Sequence, residues 1–234
     1  MSLMFRIGKI PVEISPSFFV VAALLGYSPH EDLVELGLWI LIVLGSVTAH
    51  ELGHALAGRT FGLEPRIVLH GAGGTTSWTT QRSLSTSRRV AISLAGPGAG
   101  FVVGFVVWAV NALAHPTTNG MSGASALYAF VLRNILFVNF GWGVLNLLPM
   151  LPLDGGNVMA RLLDAATGGR GHRPALVVSI VLAAAIALAA GLSVLFLGAR
   201  SWLWPTLLAL SFLASNWQEL KRFNALQRGA GSTQ

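Results

Sequence analysis

The sequence predicts an all-α integral membrane protein, with about six transmembrane helices and a short membrane-associated β-hairpin between the second and third. Composition is the first reason. Of 234 residues, 53% are hydrophobic and only 10% are charged, whereas soluble domains carry about 25% charged residues. The mean hydropathy is +0.67. The second reason is that uncharged apolar runs long enough to span a bilayer recur along the chain. The third is that nearly all Lys and Arg fall in the segments between those runs. Cysteine is absent, so disulfides and thiolate ligands are excluded, and a metal would have to use His and carboxylate. The net charge of +6 is scattered over loops. That pattern suits anionic lipid headgroups and argues against nucleic acid as a partner.

The first span is read from about Ser15 to Gly26, extended backwards to Pro11. Arg6 and Lys9 precede its apolar run, but no small-residue cleavage site follows, so it reads as a retained span. The second span runs from Leu33 to Phe61, the third from Val90 to Ala114 and the fourth from Ala126 to about Leu148. The fifth, Ala175 to Leu197, and the sixth, Trp202 to Trp217, follow a basic connector. Together these make one polytopic domain over residues 1–217, with a polar tail over 218–234 expected to be disordered past Arg228. An even number of spans puts both termini on one side. All of the fifteen Lys and Arg except Arg133 and Arg200 lie on that side, as does the 62–89 segment, and the positive-inside rule makes it cytoplasmic.

Within span two lies Thr48-Ala49-His50-Glu51-Leu52-Gly53-His54-Ala55. Residues four apart share one helix face, so His50 and His54 can bind one metal ion together. Glu51 stands beside them, where it can take a proton from a water activated by the ion. A carboxylate at membrane depth is costly and by default a functional residue. From Leu33 to His50 the helix rises about 26 Å, against a hydrocarbon core of about 30 Å. The site therefore belongs inside the membrane, towards its cytoplasmic face.

Residues Ile67 to Trp78 read as two extended pieces around a glycine turn containing Gly73 and Gly74. Such a hairpin can dip towards the site and offer an unpaired edge to an extended peptide; an ordinary surface loop is the plainer alternative. His70 reads as a loop residue rather than a ligand. Gly96, Gly100 and Gly104 open the third span at a spacing that lets helices approach closely, and Pro97 should loosen the helix locally. A catalytic zinc site usually has three protein ligands. Among only nine acidic residues, Asp154 stands out as the third. It follows Pro149 and Pro152 and precedes Gly155 and Gly156, a stretch ill-suited to regular helix. Its other reading, capping the helix that begins there, is compatible with ligation.

His50-Glu51-Leu52-Gly53-His54 on a span, a Gly-rich hairpin, Ala95-Gly96-Pro97 and the run from Asn146 through Pro149 and Pro152 to Asp154-Gly155 resemble the site-2 protease family of intramembrane zinc metalloproteases. The resemblance covers roughly residues 45–165, within a catalytic core of about 33–165. It implies His50, His54 and Asp154 as Zn²⁺ ligands, Glu51 as general base and Asn146 as a substrate or oxyanion contact, with Gly73 and Gly74 lining the substrate. Residues 62–89 leave no room for an inserted PDZ-like domain, and no CBS-type domain follows span six, so the resemblance is to the compact branch. It implies hydrolysis of peptide bonds within or near transmembrane segments of membrane proteins. The rival reading is a non-proteolytic zinc-binding membrane protein that binds partners or transports. A complete ligand and base set argues against a dead enzyme, and the apolar outer halves of spans two and three offer no polar path. Arg133 should snorkel or pair with a carbonyl, His30, His115 and His172 should lie in loops, and Trp202 and Trp204 suit an interfacial belt. Substrate identity and oligomeric state have no signature here.

Overall fold

The computed structural model describes residues 2–26, 32–80, 83–114 and 122–231. The loop histidines His30 and His115, and Glu31 and Arg82 of the charge pattern, lie outside the described residues. The chain forms two units, Met1–Asn146 and Leu147–Gln234.

The first unit opens with two strands where the sequence suggested a backward extension of span one. β1 (Leu3–Ile7) and β2 (Ile10–Ile14) pair antiparallel. They turn at Gly8, whose φ of 58° supplies the left-handed backbone that a two-residue hairpin needs. Ile10, Val12 and Ile14 point alternately inward and are buried, which is strand rather than helix periodicity. The helix after them, α1 (Pro16–Gly26), is consequently only 11 residues long and begins with proline, which has no amide hydrogen to leave unpaired. In α2 (Leu33–Thr60) the Asp32 carboxylate caps the first turn, accepting from the Glu35 amide at 2.8 Å. Trp39 of α2 donates its indole N–H to the Ala22 carbonyl of α1 at 2.9 Å, and its ring fills the space that Gly26 leaves.

The expected hairpin is present as β3 (Pro65–His70) and β4 (Gly73–Trp78), but it is only half of a sheet. β2 pairs parallel with β3, giving the order β1-β2-β3-β4. Ile67 and Leu69 join Ile10, Val12 and Ile14 in the core. Arg66 donates to the Glu13 carboxylate at 2.7 Å across the parallel pair.

α3 (Thr86–Ala114) runs through Pro97 and buries Gly96, Gly100 and Gly104, so the small-residue spacing does mark a packed face. A Cβ on Gly53 of α2 would collide with the Ala95 carbonyl, and one on Gly104 would press into the Phe140 ring. Span four is α4 (Ser122–Leu136), a π-helical turn (Phe137–Gly141) and α5 (Trp142–Asn146). The wider turn buries Asn139, whose Nδ2 donates to Ser46 Oγ and to the Ile135 carbonyl, each at 2.9 Å. Its Oδ1 is buried with no hydrogen-bond donor among the described residues. Arg133 lies over the Phe130 ring at 5.9 Å.

In the second unit, residues 147–153 are not helical, as the prolines require. Leu151 fixes this segment: its amide donates to Ser179 Oγ at 2.9 Å and its carbonyl accepts from Asn216 Nδ2 at 2.7 Å. Helix α6 (Asp154–Ala166) carries Asp154 in its first turn, with Leu153 at the cap position. Then come α7 (His172–Leu197), one 3₁₀ turn (Arg200–Trp202) and α8 (Leu203–Gly231). α8 runs well past the expected end at Trp217, and its backbone is helical to Gly231 rather than disordered past Arg228. Its polar half is held by Glu219, which meets His172 Nε2 at 3.0 Å, and by Lys221 over the Trp217 ring at 5.6 Å. His172 therefore opens a helix instead of sitting in a loop.

Leu33–Thr60, Thr86–Ala114, Ala126–Asn146 and His172–Leu197 are long and apolar enough to cross a membrane, matching spans two to five, whereas Pro16–Gly26 is apolar but shorter. The expected class, an all-α membrane protein with a short hairpin between the second and third spans, holds, with that hairpin extended by β1 and β2 into a four-stranded sheet.

Candidate active site

The site is built on one face of α2. His50 and His54 stand a turn apart with their Nε2 atoms at 3.1 Å and their rings nearly perpendicular, at 80°. The tautomer of His54 follows from its other nitrogen. Nδ1 lies 2.7 Å from the Ile92 carbonyl oxygen of α3, and a carbonyl can only accept. Nδ1 therefore carries the hydrogen, and Nε2 of the neutral ring keeps its lone pair facing His50. In front of both rings is Gly96, where a Cβ would overlap Nε2 of His54 and press on Nε2 of His50. The spacing favours helix packing as the role of Gly96; the residue also keeps the room that the imidazoles face.

Glu51 is 4% exposed, although it sits in the apolar helix that the sequence singled out. The hydroxyl of Thr76 on β4 donates to Glu51 Oε2 at 2.7 Å and lies 3.2 Å from the Glu51 carbonyl oxygen. Gly74, two residues earlier on the same strand face, lies so close that a Cβ there would overlap the Glu51 side chain. Trp78, the next residue in phase, covers Gly58 of α2. One face of β4 thus lies along the metal helix.

The other property of β4 follows from its register. Thr79 donates its amide to the Glu64 carbonyl at 3.0 Å, which makes 79 and 64 a hydrogen-bonded pair. Such pairs alternate along an antiparallel ladder. Residues 73, 75 and 77 therefore direct their peptide groups to β3, and Gly74, Thr76 and Trp78 direct theirs to the outer edge. β4 is an edge strand of the sheet among the described residues. Gly73, with φ 116°, closes the turn opposite His70. His70 accepts from the Ala72 amide at Nδ1 (3.2 Å) and reaches Thr75 Oγ1 through Nε2 (2.9 Å), so it is engaged inside the hairpin.

The ligand atoms of His50, Glu51 and His54 all lie within 4.8 Å of one another. Two nitrogens bound to a tetrahedral ion at 2.0–2.1 Å stand about 3.3 Å apart, close to the 3.1 Å seen here. A buried carboxylate beside two imidazole nitrogens also suits a cation in a low-dielectric setting. The donor set fits a divalent metal. Of the other expected site residues, Asn146 ends α5 and is half-buried, and Asp154 begins α6 in the second unit. Sequence reasoning missed Thr76 and the second duty of Gly96.

No family model matches the chain. The zinc metalloprotease MJ0392 of Methanocaldococcus jannaschii is 26% identical over 167 residues, which are 70% of this chain and 46% of that protein. The putative zinc metalloprotease sll0528 of Synechocystis is 29% identical over 181 residues, 70% of this chain and 45% of that protein. The chain thus matches a little under half the length of each relative. The solved structure of the site-2 protease from Methanocaldococcus jannaschii superposes with a TM-score of 0.62 at 23% identity, covering 94% of this chain and 95% of that one. The chain has the site-2 protease fold. Within this site-2 protease fold, α2 carries the histidine pair and Glu51, α3 contributes Ile92 and Gly96, and β4 contributes Gly74 and Thr76.

Proposed function

We propose that this protein is an intramembrane zinc metalloprotease that hydrolyses peptide bonds within or near transmembrane segments of other membrane proteins. The observation that carries the reading is the joint placement of two imidazole Nε2 atoms, a buried carboxylate and an open strand edge at one point of α2. The names of the two curated relatives point the same way. His50 and His54 would hold the ion through Nε2, with Asp154 as the third protein ligand. Zinc, when bound, would polarise the scissile carbonyl and bring the pKa of water towards 7. Glu51 and Asp154 as carboxylates, with both histidines neutral, balance the two positive charges, as a low-dielectric site favours.

The remaining steps belong to the chain. A helical substrate segment hides its amides, so it must unwind before attack. The outward peptide groups of Gly74 and Thr76 can pair with the extended stretch by strand addition. Asn146 would steady the substrate carbonyl oxygen. Glu51 takes a proton from the attacking water and returns it to the leaving amine. The distribution of Lys and Arg supports cytoplasmic termini and a site towards the cytoplasmic face; reporter fusions at both ends and at residue 200 test that orientation.

The deciding experiment combines zinc analysis of purified protein with cleavage of a panel of transmembrane peptides. Wild type and Glu51→Gln should each hold zinc, and only wild type should cleave, the variant losing on the order of 10²- to 10⁴-fold. His54→Ala should lose zinc, and Asp154→Asn should bind it more weakly. Full cleavage by Glu51→Gln would remove Glu51 as the base, and a wild type without zinc under metal-replete conditions would sink the enzyme reading.

A further inference from the structure

Thr76 makes two contacts that no other residue of β4 combines. Its hydroxyl holds Glu51 Oε2 at 2.7 Å, while its own amide and carbonyl face the open edge, since it stands opposite Ile67 between hydrogen-bonded pairs. We propose that Thr76 is a positioning residue for Glu51, coupling an extended substrate captured on β4 to the orientation of the carboxylate that acts on it. This rests on the protease reading and assigns a role within it.

Three features support the coupling. The hydroxyl has one hydrogen and two acceptors in reach, and the carboxylate at 2.7 Å outcompetes the carbonyl at 3.2 Å because it is nearer. Gly74, on the same strand face, has no side chain of its own to displace the carboxylate, for a Cβ there would overlap the Glu51 side chain. The carboxylate is therefore faced by residues 74 and 76, both of whose peptide groups an added strand would bond. Trp78 over Gly58 fixes the far end of the strand on α2, so β4 cannot slide without moving Thr76 relative to Glu51. A strand that binds here settles β4, and with it the carboxylate.

The test uses two substitutions with opposite chemistry. Thr76→Val keeps the branched shape and removes the hydroxyl; Thr76→Ser keeps the hydroxyl and removes the methyl. Steady-state cleavage by the purified zinc-loaded protein should show kcat falling on the order of 10- to 100-fold in Thr76→Val with KM unchanged. Thr76→Ser should restore most of the rate, and zinc content should be equal in all three. A readout without turnover is the infrared carboxylate band of Glu51 in zinc-free protein, isolated by subtracting Glu51→Gln. It should shift in Thr76→Val and return in Thr76→Ser. An unshifted band, or a Thr76→Ser as impaired as Thr76→Val, overturns the proposal. If wild type cleaves nothing yet the band shifts, the hold of Thr76 on Glu51 stands and the protease reading is what fails.

Discussion

Gly96 and Gly74 do their work by lacking a side chain, and each faces a different half of the site. A methyl at Gly96 would enter the space before the two Nε2 atoms, so Gly96→Ala should lower zinc affinity on the order of 10- to 100-fold, read by competition with a chelating dye. A methyl at Gly74 would displace the Glu51 carboxylate instead. Gly74→Ala should therefore keep zinc and lose kcat, a contrast that separates metal holding from proton transfer. The histidines and Glu51 were legible because residues four apart on a helix must share a face, and that rule needs no tertiary information. Thr76 was not. It is one of three hydroxyls in Thr75-Thr76-Ser77, and only the phase of the strand against α2 selects it. Gly96 was legible as a helix contact, but the imidazoles it faces come from another element.

At the level of elements, the Arg66–Glu13 ion pair ties the sheet and titrates. The Glu13 carboxyl is held below its ordinary range, first by its hydrogen bond from Arg66 and then by one from Ser2. A carboxyl with a lowered folded pKa stabilises the fold while ionised. That contribution is complete above the ordinary carboxylate value and disappears as pH falls through the lowered one. Thermal unfolding should accordingly drop as pH falls below about 4, and Arg66→Gln should flatten that acid limb. Strands β3 and β4 were readable from the glycine turn between two short runs. β1 and β2 were not, because Ile10, Val12 and Ile14 adjoin the apolar run of α1 and blend into one hydrophobic stretch. β2 is held on one side by its hairpin with β1 and on the other by a parallel partner more than fifty residues away, and pairing at that distance leaves no local mark. The π-helical turn around Asn139 is similarly silent: a lone Asn in an apolar span carries no signal that the helix widens there.

For the molecule as a whole, the outward faces decide the medium. Leu41, Phe105, Leu113, Leu195 and Phe196 are exposed in large part, a surface that water would penalise and acyl chains would not. Metal should also act on the whole fold, since a ligand that binds only the native state stabilises it. At free zinc a thousand times its Kd, the gain is about 4 kcal/mol. Added zinc should raise the unfolding temperature of wild type after chelator treatment and leave His54→Ala unmoved. The parallel pairing of β2 with β3 has a bearing on biosynthesis. On the ribosome, β2 is made first, yet its parallel neighbour appears only after α1 and the whole of α2 have been made. Until residues 65–70 emerge, β2 has an open flank, and until 73–78 follow, nothing grips Glu51. The histidine pair and Glu51 are therefore made before the strand whose Thr76 hydroxyl meets the carboxylate.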